Sequence, residues 1–377
     1  MSTQSKVKKT KILYLMHVDW HWIKQRPHFL AEELSSEFEV LVVYPRVNNR
    51  SHLVENETDL RKIPMMQLPL IRPRRVTGFL NEWIRGCYFF MLMYRYKPQV
   101  VWIPFPNVIP TVFLQKCGSA KIVYDCMDDA PAFVPVESRK SLMLSKEQVL
   151  LKTADVVFAS SLNLLEKMLE RGACADKVRL VRNAYNGVEF VPSVRELSNR
   201  VFRILYIGTV LEYIDFEVIL HCLREIKSIE FHFIGPILTD CPTHERIKYH
   251  GPVEHARLVE LMQPYDCFIM PFKIDELIQG VDPVKLYEYI NFNKNILCPY
   301  YKEIERFSDF VFYYRNKDEL ARLIHNLLSN NELRYDEGQR QSFLKNNNWK
   351  IRIVEITKFL NEKLLSRSDR SRNQNLP

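Results

Sequence analysis

A chain of 377 residues exceeds what one ordinary hydrophobic core organises and suits two α/β domains of roughly 170 to 190 residues each. Its 47% hydrophobic and 26% charged residues exclude a disordered or fibrous protein. The formal net charge of +8 points to an anionic partner, and charge alone leaves phosphorylated small molecules, acidic lipid and nucleic acid open.

Met1 to Lys11 is polar and lysine-rich and lacks the apolar core of a signal peptide, so export is not expected. Short apolar runs then recur, each followed by an amphipathic stretch, the pattern of βα units in a parallel sheet. Strands are expected over 11–16, 39–44, 65–68, 100–103, 121–124 and 155–159, with helices over 26–34, 78–94, 138–152 and 162–171. The uncharged stretch 98–115 nearly reaches membrane-spanning length, but Pro104, Pro106 and Pro110 break a spanning helix, so a buried strand, a turn and a short helix are expected there.

Residues 183–200 hold Asn186-Gly187, Pro192 and Ser193 without sustained periodicity, and a new apolar strand follows at 202–207. Further strands are expected over 230–234, 267–270, 295–297 and 310–313. The division drawn is an N-terminal Rossmann-like domain over 1–188 and a second over 189–349. A final helix over 350–365 packs back toward the first, and 366–377 is expected to be disordered. The eight cysteines, Cys87, Cys117, Cys126, Cys174, Cys222, Cys241, Cys267 and Cys298, form no CxxC pair, and several lie in apolar runs, which fits reduced thiols and a cytoplasmic setting. Cys241 and His244 make one C-x-x-H without a second pair, the pattern of a loop more than of a zinc site.

The strongest local pattern is Met270-Pro271-Phe272-Lys273, a loop, and then Asp282-Pro283-Val284-Lys285-Leu286-Tyr287-Glu288-Tyr289. Asp282 suits an N-cap and Pro283 a first helical position, which leaves the amides of Val284 and Lys285 outward, a start that attracts phosphate. Lys285 and Glu288 share a helical face, so a cation and a carboxylate can address one ligand, a diphosphate and a ribose among the candidates. A capped helix with an exposed Lys/Glu pair is the alternative.

This stretch resembles the donor-site motif of bacterial GT-B glycosyltransferases of teichuronic acid, capsule and O-antigen synthesis. Trp22, Gln25-Arg26-Pro27, Tyr124 to Asp129, Val181 to Val188, Ile207-Gly208-Thr209-Val210, Phe233 to Pro236, Gly251-Pro252-Val253 and Trp349 resemble further parts of that family in order, over about residues 11 to 362. The resemblance implies an α/β GT-B fold, two Rossmann-like domains facing a central cleft. The implied activity is transfer of a hexosyl or related sugar from a nucleoside-diphosphate sugar, UDP or dTDP, to a glycan or lipid-linked acceptor, with the anomeric configuration retained. It gives Glu288 the ribose hydroxyls and makes Gly208, Thr209, Lys273, Asp282, Pro283, Val284 and Lys285 the donor side. Many retaining relatives carry a second glutamate eight residues earlier; here that position is Gly280.

Charge developing on the leaving phosphate calls for fixed cations or oriented donors, and Lys273, Lys285 and the amides after Asp282 are the candidates, with no metal and no cofactor expected. Asp128 and Asp129 follow a strand end, where open α/β sheets bind ligands, and serve as base, hydroxyl binder or loop cap. His17, Asp19, Trp20, Gln25 and Arg26 fall on the acceptor side. No G-x-G-x-x-G follows a strand, against a nicotinamide enzyme, and the dispersed basic residues speak against nucleic acid. A non-catalytic binder of the same fold and a sugar-nucleotide epimerase remain alternatives. Arg72, Arg74 and Arg75 precede a stretch holding Phe79, Leu80, Trp83, Ile84, Cys87, Tyr88, Phe90, Met91 and Tyr94, either a core-facing helix or a surface docking on anionic lipid at the inner membrane face.

Overall fold

The structure, a computed structural model, describes residues 9–46, 58–65, 74–108, 110–114, 117–185, 187, 201–253, 257 and 261–365. In chain order the first part holds β1 (Lys11–Leu15), α1 (Arg26–Glu37), β2 (Glu39–Pro45), β3 (Arg61–Met65), α2 (Arg74–Tyr96), β4 (Val100–Ile103), α3 (Thr111–Leu114), β5 (Lys121–Cys126), α4 (Glu137–Thr153), β6 (Val156–Ala159), α5 (Leu162–Glu170) and β7 (Val178–Leu180). The second holds β8 (Phe202–Ile207), α6 (Phe216–Glu225), β9 (Ile229–Ile234), β10 (Ile247–Tyr249), β11 (Cys267–Ile269), α7 (Glu276–Gln279), α8 (Val284–Asn291), β12 (Asn295–Pro299), β13 (Val311–Tyr314), α9 (Lys317–Ser329) and α10 (Glu337–Asn346). The long α11 (Trp349–Leu365) follows.

Strands as uniformly apolar as Lys11–Leu15 and Val100–Ile103 bury both faces, which is the condition of an all-parallel sheet covered by helices. The first sheet runs β3-β2-β1-β4-β5-β6-β7 and the second β10-β9-β8-β11-β12-β13, with every described pairing between these strands parallel. Each sheet therefore reverses its winding once, between β1 and β4 and between β8 and β11, and ligands of open α/β sheets bind beyond the strand ends at such points.

The chain divides into two compact units, Met1–Arg182 with Trp349–Pro377, and Asn183–Asn348. The second unit begins at Asn183, earlier than the boundary drawn from composition, because Asn183 and Tyr185 are hydrogen-bonded within it: the Asn183 amide donates to Asp282 (2.7 Å) and the Tyr185 amide to the Asn347 carbonyl (2.7 Å). In the first unit α11 lies on α1, Trp349 stacking on Phe29 at 5.5 Å, and an aromatic run Tyr14, Trp102, Phe158 crosses the sheet to meet Phe359 of that helix.

The strand expected over 65–68 ends instead at Met65 and starts at Arg61, and residues 66–68 lie outside those described. Arg61-Lys62-Ile63-Pro64-Met65 is an edge strand, where charge and a proline are tolerated because one ladder is absent. β7 and β10 were not expected, because Val178-Arg179-Leu180 and Ile247-Lys248-Tyr249 each carry a central basic residue and make no apolar run. The stretch 98–115 forms a buried strand, a turn and the short α3, and among the described residues no helix is long and apolar enough to cross a membrane. Gly86 is dictated by that turn: a side chain there would fall 2.0 Å from the Phe113 ring, so only glycine lets α3 close on α2. All eight cysteines are free thiols. Cys241 and His244 are taken up by their own loop, its thiol donating to the Thr239 carbonyl and the Nδ1 of His244 accepting the Arg246 amide. The tail 366–377 and Arg72 lie outside the described residues, as do the side chains of Arg74 and Arg75.

Candidate functional site

At the reversal of the second sheet, β8 ends in Gly208-Thr209 and β11 in Met270-Pro271-Phe272-Lys273. Gly208 has φ 140°, a region closed to residues with a side chain, and a Cβ there would meet Lys285 Cε at 2.4 Å. The Lys285 side chain thus lies in the space that Gly208 leaves empty, with Nζ 5.8 Å from the centres of both the Tyr206 and Phe272 rings. Two hydroxyls fix the turn beneath it: Tyr206 and Tyr213 both donate to the Thr209 carbonyl (3.0 and 2.9 Å). Lys273 is tied to the same place by its amide, which donates to the Tyr213 carbonyl (2.8 Å), while its exposed ammonium donates to the Glu212 carbonyl (3.1 Å). Gly208, Thr209, Lys273 and Lys285, distant in sequence, are brought together.

Glu288 stands half-buried one turn along α8 from Lys285, between two buried tyrosines. Tyr289 accepts the Ile207 amide on its hydroxyl (2.9 Å), which sets the distance from helix to β8. Tyr287 donates to Asp282 (3.0 Å), which sets the helix start. Asp282 does not cap α8. The N-cap is Pro283, which has no side-chain group to offer, so the first amides of the helix receive no side-chain cap from that position. The Asp282 carboxylate, with none of its side chain exposed, is held instead by the Asn183 amide, the Tyr287 hydroxyl and Arg306. A carboxylate so engaged contributes to the site by shaping the turn before α8. Neither flanking tyrosine nor Arg306 stood out in the sequence; alternation of Tyr with Glu across 287–289 was the available signal that this helix is anchored on two sides.

At the reversal of the first sheet, His17 follows β1 and stacks on Phe105, which follows β4, at 5.3 Å and 17°. They line a cavity of about 250 Å³ with Met16, Pro45, Met65, Arg85, Asn107 and Val108. The Nδ1 of His17 is buried and has no hydrogen-bond partner among the described residues. Burial, and then the neighbouring His28, lowers its pKa to about 4, so the ring is neutral at pH 7. His28 is a satisfied contrast: its Nδ1 accepts the Gln25 amide (3.2 Å), which puts the proton on Nε2, facing the Trp20 carbonyl (3.1 Å).

The other expected acceptor-side residues lie deeper than the sequence implied. Trp20 and Arg26 are each 1% exposed. Arg26 forks onto Asp125, with Nη2 at 2.7 Å and Nε at 3.1 and 3.2 Å, and so ties α1 to β5 instead of presenting a guanidinium to an acceptor. Gln25 is the N-cap residue of α1, and Asp19 caps its own loop by accepting the His21 amide (3.0 Å). Asp129, expected as base or hydroxyl binder, has a fully buried side chain paired with Lys167 (2.6 Å) and Arg171 (2.9 Å). Although burial alone would raise its pKa, these two cations outweigh it and hold the carboxyl below the usual range, which makes Asp129 a poor base. Asp128 is half-buried beside it and is the more accessible of the pair.

Among the described residues no group of three or more His, Cys, Asp or Glu side chains is arranged to hold a metal ion. No family model matches the chain. It is 26% identical over 199 residues to a Bacillus subtilis (strain 168) protein whose name assigns it to teichuronic acid biosynthesis as the glycosyltransferase TuaH; the match covers 47% of this chain, which thus spans only about half, 50%, of that relative. Among solved structures it is similar to sucrose-phosphate synthase of Thermosynechococcus elongatus, with a TM-score of 0.71 at 13% identity over 95% of this chain and 100% of that one. It is also similar to Anabaena HepE in complex with UDP and glucose, with a TM-score of 0.61 at 11% identity over 95% and 100%. With two parallel sheets built as described, this likeness establishes the fold: the chain has the GT-B fold, two Rossmann-like units.

Proposed function

We propose that the chain is a glycosyltransferase that moves a hexosyl or related sugar from a nucleoside-diphosphate sugar to a hydroxyl of a glycan or lipid-linked saccharide in cell-surface polysaccharide synthesis. The observation that carries this reading is the Lys285 side chain laid across Gly208 at the β8/β11 reversal, with Glu288 one turn further along. Cleaving the bond from the anomeric carbon to the phosphate oxygen leaves negative charge on the diphosphate. Lys285, Lys273 and the first amides of α8 stabilise that charge without requiring a divalent metal, and Glu288 receives the ribose hydroxyls. UDP is the first nucleotide to test, supported by the UDP held in HepE, which has the same fold, and dTDP is the second. The acceptor hydroxyl attacks from the face the diphosphate leaves, retaining configuration, and passes its proton to the departing phosphate.

A thermal-shift series over nucleoside diphosphates and their sugars tests the donor half: a ligand at 100 times its dissociation constant stabilises by about 2.7 kcal/mol, and no shift with any of them rejects the site. Product analysis tests the rest. Gly280, where related enzymes carry a glutamate, favours a second reading in which the fold binds nucleotide sugar without transferring it. Diphosphate release with a glycosylated product supports transfer, an altered sugar still on its nucleotide indicates epimerisation, and binding without turnover supports the second reading.

Work at a membrane surface is part of the proposal. One face of α2 packs Gly86, Phe89, Leu92 and Tyr96 inward, while Leu80, Trp83, Cys87, Met91 and Tyr94 recur at three- and four-residue spacing on the exposed face. The core-facing reading describes one face of this helix, and the exposed aromatic stripe on the other supports docking on an anionic lipid interface.

A further inference from the structure

Asp282 stands two residues before the start of the helix that the proposed function gives to a diphosphate, where a carboxylate opposes the ligand. The turn nevertheless uses that carboxylate, which accepts the Asn183 amide (2.7 Å) and the Tyr287 hydroxyl (3.0 Å), while the Asn183 side chain donates back to the Asp282 carbonyl (2.5 Å). Arg306, from the 3-10 turn Lys302–Phe307, completes the arrangement. Its Nη2 donates to the Asp282 carboxylate and to the Tyr287 hydroxyl (2.7 Å), and its guanidinium lies 3.9 Å from the Phe307 ring centre and 5.2 Å from that of Tyr287. A second carboxylate, Glu303, approaches Arg306 Nε at 4.0 Å with 2% of its side chain exposed. One guanidinium therefore answers two buried carboxylates directly behind the donor helix. Burial works against the charged guanidinium, but Asp282 and Tyr287 more than offset it and keep it fully protonated.

We propose that Arg306 is a positioning residue of the nucleoside-diphosphate site: by cancelling the Asp282 charge behind α8, it lets one turn be anchored on a carboxylate and still receive a diphosphate. This rests on the donor reading above. It differs from a packing role in that charge is the quantity that matters, and charge can be restored without restoring the arginine. Arg306→Lys keeps the cation and loses the fork to Tyr287. Arg306→Met removes the cation that faces both carboxylates; adding Asp282→Asn returns the local charge to the wild-type count without returning the hydrogen bonds.

Calorimetric titration of UDP and dTDP onto the full chain at low and high salt reads the difference. Arg306→Met is expected to weaken nucleotide binding by about tenfold or more at low salt and by less at high salt, as a screened repulsion must. Arg306→Met with Asp282→Asn is expected to recover most of that affinity while remaining as thermally labile as Arg306→Met alone, and Arg306→Lys to stay within about threefold of wild type. Loss that neither salt nor the second substitution recovers, or wild-type affinity in Arg306→Met, overturns the proposal. Should Arg306→Met not fold, Asp282→Asn alone decides: with the arginine kept, binding at least as tight as wild type supports the charge argument and weaker binding overturns it. Failure of the wild-type chain to bind either nucleotide strikes the donor reading itself, and the proposal with it.

Discussion

At the reversal of the second sheet, glycine, two lysines and a helix start with proline at its N-cap converge on one turn; at the reversal of the first, a neutral histidine, Phe105, two methionines and Arg85 line a small cavity. The backbone plan is the same at both. What differs is where the charge sits. Around the first sheet, charged side chains near the strand ends are spent on one another, Arg26 on Asp125 and Asp129 on Lys167 and Arg171, and are buried. Around the second, Lys273 and Lys285 retain exposure. A Rossmann-like sheet fixes where a ligand can bind, and the partners of its charged residues narrow which ligand; the lysines that retain exposure in the second unit are what the proposed function assigns to a diphosphate.

The largest expected effect breaks the first side of this comparison. Arg26→Ala leaves Asp125 buried with no cation, which costs about 3–5 kcal/mol of stability and shows as a lowered midpoint in urea unfolding. If stability is instead unchanged while acceptor binding falls, Arg26 belongs to the acceptor side after all. On the second side the expectation reverses. Lys285→Ala and Glu288→Ala should each cost about 2.7–4 kcal/mol in the activation barrier, roughly 10²–10³ in turnover, while stability moves by under about 1 kcal/mol, because both groups are half-exposed. Wild-type rates in both would remove the donor assignment. Activity lost to a chelator and regained with magnesium or manganese would contradict a metal-independent mechanism.

A pH titration of stability sharpens the first side next. His17 and His28 both have folded pKa values lowered to about 4, below the usual 6.5, each mainly by burial. Between those two values the unfolded chain binds protons that the folded chain does not, so stability is complete above about pH 6.5 and falls as pH drops toward 4. Each histidine contributes at most about 3 kcal/mol to that fall. His17→Gln should remove its share of the slope while His28 keeps its own; a slope unchanged by the substitution would mean that His17 is solvated and that the cavity is open to water.

The sequence made the architecture legible because parallel strands bury both faces and announce themselves as apolar runs; the central strands β1, β4, β8 and β11 were all found within a residue or two. It failed at edges, where β3 is charged and the short β7 and β10 each carry a basic residue at their centre, Arg179 and Lys248; β11, equally short, was found because all three of its residues are apolar. For the site, the pattern around Lys285 and Glu288 was legible as local chemistry on one helical face. Asp282 was not, because a residue ahead of a proline reads as a cap, and only the fold shows Arg306, 24 residues later in sequence, claiming its carboxylate. Arg26, Trp20 and Asp129 misled for the same reason: a polar or aromatic residue at a strand end looks available until its partner, on another element, is known.

The smallest effect per residue concerns the exposed face of α2. Trp83 and Tyr94 on α2 are 61% and 80% exposed, and their rings lie on the face opposite Phe89 and Leu92, which join the core of the first unit. If that face rests on a membrane, each nearby basic residue contributes about 1 kcal/mol against anionic lipid, and the aromatic rings settle at the interface. The full chain should therefore sediment with anionic vesicles and be released by salt, since charges screened beyond a Debye length of about 10 Å at 0.1 M no longer attract. Replacing Arg72, Arg74 and Arg75 together with glutamate should abolish sedimentation, and Trp83→Ser with Tyr94→Ser should weaken it at constant charge. Turnover on a soluble acceptor should survive in both, because the proposal gives these residues a role in lipid binding alone. Sedimentation unchanged in both variants would assign the stripe to a protein partner or to none, and would leave the contrast between the two reversals untouched.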